Sequence, residues 1–428
     1  MTPPRSRVPL LALLGANAIS MTGNTAALVA IPWFVLETTG SASKTGITAF
    51  AGLVPVVLSG VFGGTLVDHL GYRRASVLSD VASAAAVAAI PLLHVTVGLA
   101  FWQLVVLVFL GGLLDAPGVT ARAALMPDVA DRAGWSYERA SGATAVVERS
   151  SRLAGAPLAG VLIAVVGPTN VLWIDAATFV VSALVVSLGV PRPVAIDDPS
   201  DEKETSYLSR LRAGYAFLRR DRTLFTMIAV VNLTNLLDSI SLVALPVYAR
   251  EVYGSALGLG LLIGVMGAGS VAGALVFSAI GHRLSRRRLF VWCFVLVSVW
   301  YPVAAAFPPL AVLLVAKGLS GLASGPLNPV IDTVFYERVP DGMRGRVFGV
   351  THAAAWVTMP LGVLMAGPLL EWFGLRATLL GTFAVYLAVT LTASLLPSLR
   401  GLDDQPPATA GRIETVSPSV SSVSSEPR

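Results

Sequence analysis

The chain has 428 residues, of which 55% are hydrophobic and only 13% are charged, and its formal net charge is +5. Because a soluble globular domain carries about 25% charged residues, this composition excludes an ordinary soluble domain and indicates an integral membrane protein. The single cysteine, Cys293, excludes a disulfide framework, and the four histidines are too widely spaced for a zinc pair. We expect no cofactor, no metal and no nucleic-acid partner.

A helix that crosses a membrane needs about 20 apolar residues. The first apolar run follows Arg5 and Arg7 and contains a signal-peptidase-like Ala16-Asn17-Ala18, but it stays apolar too long for a signal peptide, so we expect it to be retained. The sequence predicts an all-α integral membrane fold with twelve spans, at 8–36, 45–67, 75–96, 99–122, 141–166, 169–190, 224–249, 256–280, 289–306, 309–333, 347–371 and 376–396.

The spans fall into two groups of six, an N-terminal half at 1–190 and a C-terminal half at 224–397. Between them, residues 191–223 are charged and then amphipathic, which predicts a cytoplasmic linker containing an interfacial helix. The apolar positions of that helix are Tyr207, Leu208, Leu211, Tyr215 and Leu218. Residues 398–428 are rich in Pro, Ser, Thr and Val, so we predict a disordered cytoplasmic tail.

Lys and Arg are concentrated in alternate loops, from Arg73 and Arg74 to Arg344 and Arg346. The other loops hold little more than Lys44, Arg250 and Arg376. Because loops rich in Lys and Arg stay on the cytoplasmic side of a membrane, the basic loops and both termini are predicted to be cytoplasmic. This orientation requires an even number of spans.

An internal repeat relates the two halves. Residues 28–46 read LVAIPWFVLETTGSASKTG and residues 242–260 read LVALPVYAREVYGSALGLG, with nine identities in nineteen positions. A second set of glycines recurs 207 positions later, Gly142, Gly155, Gly160 and Gly167 matching Gly349, Gly362, Gly367 and Gly374. Six spans per repeat keep the same orientation, so the sequence predicts two parallel six-helix repeats that can rock about a central site.

The loop after span 2 contains Gly64, Leu66, Asp68, Gly71, Arg73 and Arg74, in an order that resembles the G-x-L-a-D-R-x-G-R-K/R signature of the major facilitator superfamily. His69 and Tyr72 depart from that signature. The resemblance implies that Asp68 caps span 11 and pairs with Arg122, forming a cytoplasmic gate. The alternative is that Asp68 and Gly71 only make a tight turn.

Three segments are also similar to the enterobactin-exporter and macrolide-efflux branch of that superfamily. They begin at Gly23, Ala121 and Val339. This likeness implies export of siderophores or drug-like compounds. It further implies that spans 1, 4, 7 and 10 line a cavity.

Polar residues in those spans are the candidates for binding substrate or protons. Asp115 lies in span 4, and Asp238 lies in span 7 with Asn232 and Asn235 on roughly one face. Asn24 is the repeat mate of Asp238, and Lys317 lies within span 10. The structural alternatives are a hydrogen bond in a bent helix for Asp115, and interhelical packing for Asn24 and for the face that carries Asn232, Asn235 and Asp238.

Three further residues are predicted to belong to the cytoplasmic gate: Glu148, Arg152 and Asp332. Gly155, Pro157 and Gly160 resemble an antiporter signature whose first glycine is replaced here by Ala156. Ordinary packing of small residues against span 8 is the alternative interpretation.

No phosphate-binding loop or nucleophile elbow is present, so the sequence argues against an enzyme and against ATP hydrolysis. We predict a monomeric, proton-coupled transporter of a hydrophobic drug-like or siderophore-like molecule in the bacterial cytoplasmic membrane, working by alternating access. An uptake permease and a non-transporting receptor or assembly partner are the alternatives.

Overall fold

The computed structural model describes residues 6–191 and 207–403, without the side chains of 59–69, 207–211, 282, 341, 345, 352 and 356. Over these ranges the chain is helical and contains no strand. The N-terminal helices are α1 (Val8–Thr39), α2 (Ala42–Leu70), α3 (Tyr72–Thr96), α4 (Phe101–Ala133), α5 (Tyr137–Val166) and α6 (Pro168–Gly189).

Between the two groups of helices lies the amphipathic helix α7 (Tyr207–Arg220). The second group begins with α8 (Arg222–Tyr248), a π-helical turn (Ala249–Tyr253), α9 (Ala256–Ile280), α10 (Arg286–Ser298) and α11 (Trp300–Ala305). The last helices are α12 (Leu310–Ser324), α13 (Leu327–Arg338) and α14 (Arg344–Leu395). We call the end of the bundle that carries α7 the basic face, and the other end the opposite face.

Ten helical stretches of the described chain are long and apolar enough to cross a membrane. Two further crossings bring the number to twelve. One is α2, which is continuous from Ala42 to Leu70. The other is the second part of α14, because α14 is two helices joined at Gly374, where the backbone leaves helical geometry. The predicted all-α membrane fold with twelve crossings is therefore confirmed.

Two predicted spans are each built from two helices. The span predicted at 289–306 is divided between α10 and α11, and the span predicted at 309–333 is divided between α12 and α13. The second division falls at Gly325 and Pro326, between the end of α12 and the start of α13.

The internal repeat appears in the backbone and in the packing. Gly40 and its mate Gly254 both have positive φ, at 68° and 60°, and each ends a helix. Gly167 and Gly374 likewise have φ of 81° and 76° at matching turns. The two halves therefore share turn geometry as well as helix order.

The halves meet mainly through two helix pairs, α2 with α14 and α5 with α9. The described close approaches in these pairs, such as Gly46 to Gly367 and Gly160 to Gly260, lie in the parts of the helices nearer the opposite face. Toward the basic face, α5 is exposed on several sides, with Val146 at 65% and both Glu148 and Arg152 exposed. The bundle is therefore closed at the opposite face.

Helix α7 packs along the start of α14. A Cβ at Gly214 would lie 2.5 Å from the carbonyl oxygen of Arg346, so only a glycine fits at this crossing, while Leu218 is buried at 3% exposure. Residues 192–206 of the predicted linker, and the side chains of Tyr207, Leu208 and Leu211, lie outside the described part of the chain.

The C-terminal segment differs from the prediction at its beginning. Disorder is predicted from residue 398, but Pro397–Leu402 forms a 3-10 helix in which Leu399 and Leu402 are buried. Asp403 accepts hydrogen bonds from the Ser285 hydroxyl at 2.8 Å and from the Arg287 amide at 3.2 Å. These contacts hold the segment on the basic face, and residues 404–428 lie outside the described residues.

Candidate functional site

A buried polar network joins α1, α3, α4 and α6 in the N-terminal half. The guanidinium of Arg122 donates to Asp80 Oδ1 at 2.7 Å, and the hydroxyl of Ser182 donates to Asp80 Oδ2 at 2.7 Å. Arg122 and Asp80 are 1% and 0% exposed. Because an unpaired buried charge is strongly unfavourable, each charge of this pair requires the other.

Asp115 is the second carboxylate beside Arg122. Its Oδ2 accepts a hydrogen bond from Asn24 Nδ2 at 2.9 Å, and its Oδ1 lies 3.8 Å from Arg122 Nη2. Oδ1 has no hydrogen-bond partner among the described residues, and the side chain is 18% exposed. Asp115 is thus held on one side by α1, while its other oxygen is buried beside Arg122 without a hydrogen bond among the described residues.

Small residues allow α3 and α4 to approach at this network. A Cβ at Gly118 would lie only 2.9 Å from Ser79 Cβ and 3.6 Å from an Arg122 guanidinium nitrogen. A larger residue at position 118 would therefore push α4 away from α3 and disturb the Arg122–Asp80 pair.

Asp175 of α6 is a third buried carboxylate of this half, at 1% exposure. It packs against Gly23 of α1, where a Cβ would lie 2.6 Å from Asp175 Oδ1. Gly23 adjoins Asn24, so consecutive residues of α1 contact one carboxylate of α6 and one of α4.

The C-terminal half contains a separate cluster around Asp238 of α8. The hydroxyls of Tyr301 and Tyr386 donate to its two carboxylate oxygens, each at 3.3 Å. The Lys317 ammonium lies 3.3 Å from the centre of the Trp300 ring and 3.9 Å from Met266 Sδ. Lys317 is 1% exposed, and it forms no ion pair with Asp238.

The predicted polar stripe on α8 lies partly buried. Asn232, Asn235 and Asp238 are all of intermediate exposure, and Asn232 Oδ1 is buried without a hydrogen-bond partner among the described residues. Since a buried polar atom without a partner is unfavourable, Asn232 is a candidate for a contact supplied by a ligand. Asn24, the repeat mate of Asp238, is engaged with Asp115 instead.

The structure describes only part of the predicted cytoplasmic gate. The side chain of Asp68 and its surroundings at Gly64 lie outside the described side chains, so the Asp68–Arg122 pairing stays a prediction. The described carboxylate partners of Arg122 are Asp80 and Asp115. Gly71 has a φ of 77° and precedes α3, as a tight turn requires.

The other predicted gate residues lie apart from the two clusters. The Arg73 guanidinium donates to the carbonyl of Ser187 at the end of α6, and Arg74 is exposed. Glu148 and Arg152 are both exposed on α5, and no ion pair joins them. Asp332 is exposed on α13.

The antiporter-like segment of α5 lies at helix crossings. A Cβ at Gly155 would lie 2.8 Å from Thr25 Cβ, and one at Gly160 would lie 2.8 Å from the carbonyl oxygen of Ala256. Pro157 packs against Gly264 of α9, where a Cβ would lie 2.3 Å from the proline ring. The segment brings α5 against both α1 and α9.

Two parts of these clusters are absent from the sequence-based candidates. Asp80 lies close to the start of predicted span 3, where a carboxylate is unremarkable, although Ser76, Ser79 and Ser83 mark the same polar stripe. The aromatic members Trp300, Tyr301 and Tyr386 occur in apolar runs, where nothing in the sequence separates them from lipid-facing residues.

A family model described as "Transmembrane secretion effector" (MFS_3) matches residues 4–420, nearly the whole chain. The chain belongs to this family of the major facilitator superfamily. The family and its fold are those of membrane transporters, so the protein is a multi-pass transporter and not an enzyme.

Two relatives of this major facilitator protein have names that describe efflux. It is 34% identical over 402 residues to "Multidrug efflux pump Tap" of Mycolicibacterium fortuitum, covering 93% of this chain and 98% of the relative. It is 19% identical over 390 residues to "Macrolide efflux protein A" of Streptococcus pyogenes, covering 90% of this chain and 95% of the relative.

The fold is also similar to solved major facilitator structures. The nucleoside transporter NupG superposes with a TM-score of 0.74 at 11% identity, covering 90% of this chain and 98% of that one. At this identity the similarity bears on the fold alone, which is the predicted two-repeat arrangement.

Proposed function

We propose that this major facilitator protein exports hydrophobic drug-like molecules in exchange for protons. The class of substrate and the direction rest on the relatives, a multidrug efflux pump and a macrolide efflux protein that match almost their full lengths. A siderophore-like substrate, also expected from the sequence, has no support from those names. The small molecule, protons and the lipid bilayer are then its partners, and it acts as a monomer.

The observation that carries proton exchange is the environment of Asp115. One carboxylate oxygen is fixed by Asn24, and the other is a buried acceptor without a hydrogen-bond partner among the described residues, 3.8 Å from Arg122. A carboxylate inside a membrane protein is expected to be functional because its burial is so unfavourable. In this proposal the second oxygen of Asp115 takes either one proton or one polar group of the substrate, but not both at once.

Asp238 and Lys317 form the corresponding site of the C-terminal half in this proposal. Asp238 is repeat-equivalent to Asn24, the residue that holds Asp115, so the two halves present polar groups at equivalent depths. Asn232 and Asn235 lie on the same helix and supply amide groups for a substrate. The aromatic rings of Trp300, Tyr301 and Tyr386 provide apolar surface beside the charges.

We further propose that the basic face is cytoplasmic and that both termini lie in the cytoplasm of a bacterial inner membrane. The support is the excess of Arg at that face, as the positive-inside rule requires. The halves are then residues 1–190 and 224–397, joined by the linker at 191–223. Close approaches at the opposite face and the exposure of α5 toward the basic face support a substrate path that opens to the cytoplasm.

Transport by purified protein in proteoliposomes tests the proposal. A lipophilic fluorescent drug should be moved against its gradient when a pH gradient is imposed, and a protonophore should abolish this movement. Asp115→Asn should abolish pH-driven transport. Drug movement that ignores the pH gradient in the wild type would contradict proton coupling, and binding without movement would favour a receptor.

A further inference from the structure

The corner between α1 and α2 lies at the opposite face of the N-terminal half. The helix α1 ends at Thr39, Gly40 turns the chain with a φ of 68°, and α2 begins at Ala42. This corner therefore places the carbonyl end of one helix beside the amide end of another. A cation is stabilising at the first of these ends and an anion at the second.

Glu371, from the C-terminal half, lies at the amide end. Its Oε1 accepts hydrogen bonds from the Ser41 hydroxyl at 2.7 Å and from the Ser43 amide at 2.9 Å. Its Oε2 accepts from the Ser43 hydroxyl at 2.6 Å. Three hydrogen bonds thus join one carboxylate of α14 to the first turn of α2, in the manner of a helix cap supplied by the other half.

Arg250, also from the C-terminal half, lies at the carbonyl end. Its guanidinium donates to the carbonyl of Leu36 in the last turn of α1. Leu36 and Arg250 occupy equivalent positions in the repeat, since 36 and 250 are separated by the same 214 residues as 28 and 242. The contact therefore joins equivalent parts of the two halves.

Both charged residues line one cavity of about 380 Å³ at the opposite face, together with Leu36, Gly40, Ala42 and Leu375. The position equivalent to Glu371 in the first repeat, 207 residues earlier, is Ala164, which has no charge. The N-terminal half thus offers two helix ends and the C-terminal half offers the two charges that complement them.

We propose that Arg250 and Glu371 form a clamp on the α1–α2 corner that holds the opposite face closed and must be released for a bound molecule to leave. The clamp is asymmetric: only the C-terminal half supplies charged side chains. Its release exposes the amides of α2 and the carbonyls of α1 to water, which replaces the lost hydrogen bonds. The transport role rests on the proposed function, but the conformational role does not.

Distance measurements between spin labels test the clamp without any substrate. Labels are attached at Val97 and Arg376, exposed positions on different halves at the opposite face, in a Cys293→Ala background. Glu371→Gln replaces an acceptor by an amide that cannot accept both Ser43 bonds. We expect the ratio of molecules that are open at the opposite face to molecules that are closed there to rise about tenfold, because hydrogen bonds to a charged group are lost.

Two further variants make the result specific. The double variant Ser41→Ala, Ser43→Ala retains the Ser43 amide and should shift the distances in the same direction by a smaller amount. Glu251→Gln removes a carboxylate that lines the same cavity on the same half and should leave the distances unchanged. Wild-type distances in both Glu371→Gln and Glu371→Ala would overturn the clamp, as would an equal shift in Glu251→Gln.

The transport assay separates this inference from the proposed function. A clamp variant with shifted distances and a wild-type protein that transports nothing would leave the clamp standing and refute drug export. A transporting wild type whose distances do not respond to Glu371 variants would refute the clamp alone.

Discussion

Gly160 of α5 and Gly260 of α9 face each other across the boundary between the two halves. A Cβ at Gly160 would lie 3.0 Å from Gly260 Cα, and a Cβ at Gly260 would lie 2.9 Å from Gly160 Cα. Their repeat mates, Gly367 and Gly46, face each other at the crossing of α14 and α2, where a Cβ at Gly46 would lie 3.6 Å from Gly367 Cα. The repeat found in the sequence therefore defines the two surfaces on which the halves meet.

Gly160→Ala should loosen this boundary. Its methyl group would lie 2.8 Å from the carbonyl oxygen of Ala256, so the backbones of α5 and α9 must separate. Overpacking of this kind destabilises by about 1–3 kcal/mol, which thermal unfolding in detergent measures. Gly142→Ala in the same helix meets nothing within 4 Å and is the matched control. Equal melting temperatures for the two variants would show that the crossing tolerates a methyl group.

Asp80→Ala should be one of the most destabilising single changes in the N-terminal half. It leaves the Arg122 charge, 1% exposed, without its 2.7 Å partner. Loss of one member of a buried ion pair is expected to be unfavourable by about 3–5 kcal/mol in chemical unfolding. Ser182→Ala removes one hydrogen bond from Asp80 and should have an effect of about 1 kcal/mol. If the two effects are similar, the ion pair is not what stabilises this network.

Trp300→Leu should destabilise the C-terminal half through Lys317, because the ammonium lies 3.3 Å from the ring centre. A desolvated cation–π contact contributes about 2 kcal/mol, beyond the effect of lost apolar area. Trp292→Leu, in α10 of the same span, removes a side chain that is 61% exposed and serves as the control. To isolate the cation, both are repeated in a Lys317→Met background. In that background the difference in destabilisation between Trp300→Leu and Trp292→Leu should shrink. An unchanged difference would exclude the cation–π contact.

Truncation should distinguish two parts of the C-terminal segment. A chain ending at Asp403 keeps the bonds from the Arg338 guanidinium to the Gly401 carbonyl and from Thr223 to the Ser398 carbonyl at 2.9 Å. It should melt at the wild-type temperature. A chain ending at Leu396 loses these bonds and those of Asp403, and we expect a melting temperature several degrees lower. Identical melting of the two truncated chains would mean that Pro397–Leu402 contributes no stability.

Runs of apolar residues were sufficient to predict the fold, because a membrane span is a property of some 20 adjacent residues. The repeat could also be read directly, since nine identities in residues 28–46 and 242–260 exceed chance. The boundary between the last two predicted spans, 347–371 and 376–396, coincides with Gly374, where the backbone of α14 leaves helical geometry. The sequence did not reveal that Pro397–Leu402 is helical and partly buried, because the composition of this segment resembles that of the tail that follows it.

The site was predicted only in part, because its partners are remote in sequence. Asn24 and Asp115 were each recognised as polar residues within spans, but their 2.9 Å hydrogen bond joins residues 91 positions apart. Glu371 and Ser43 are 328 positions apart, so no local pattern reveals their contact. Asp80 shows a further limit, since a carboxylate near a span end looks exposed until its partner on another helix is known.

Proton release on ligand binding tests the central claim most directly. Purified protein in weakly buffered detergent solution is titrated with lipophilic drugs while the pH is recorded, for the wild type, Asp115→Asn and Asp238→Asn. The account predicts that drug binding releases protons from the wild type and that Asp115→Asn abolishes the release while drug binding persists. Drug binding by the wild type without any proton release would contradict exchange of drug and proton at these carboxylates.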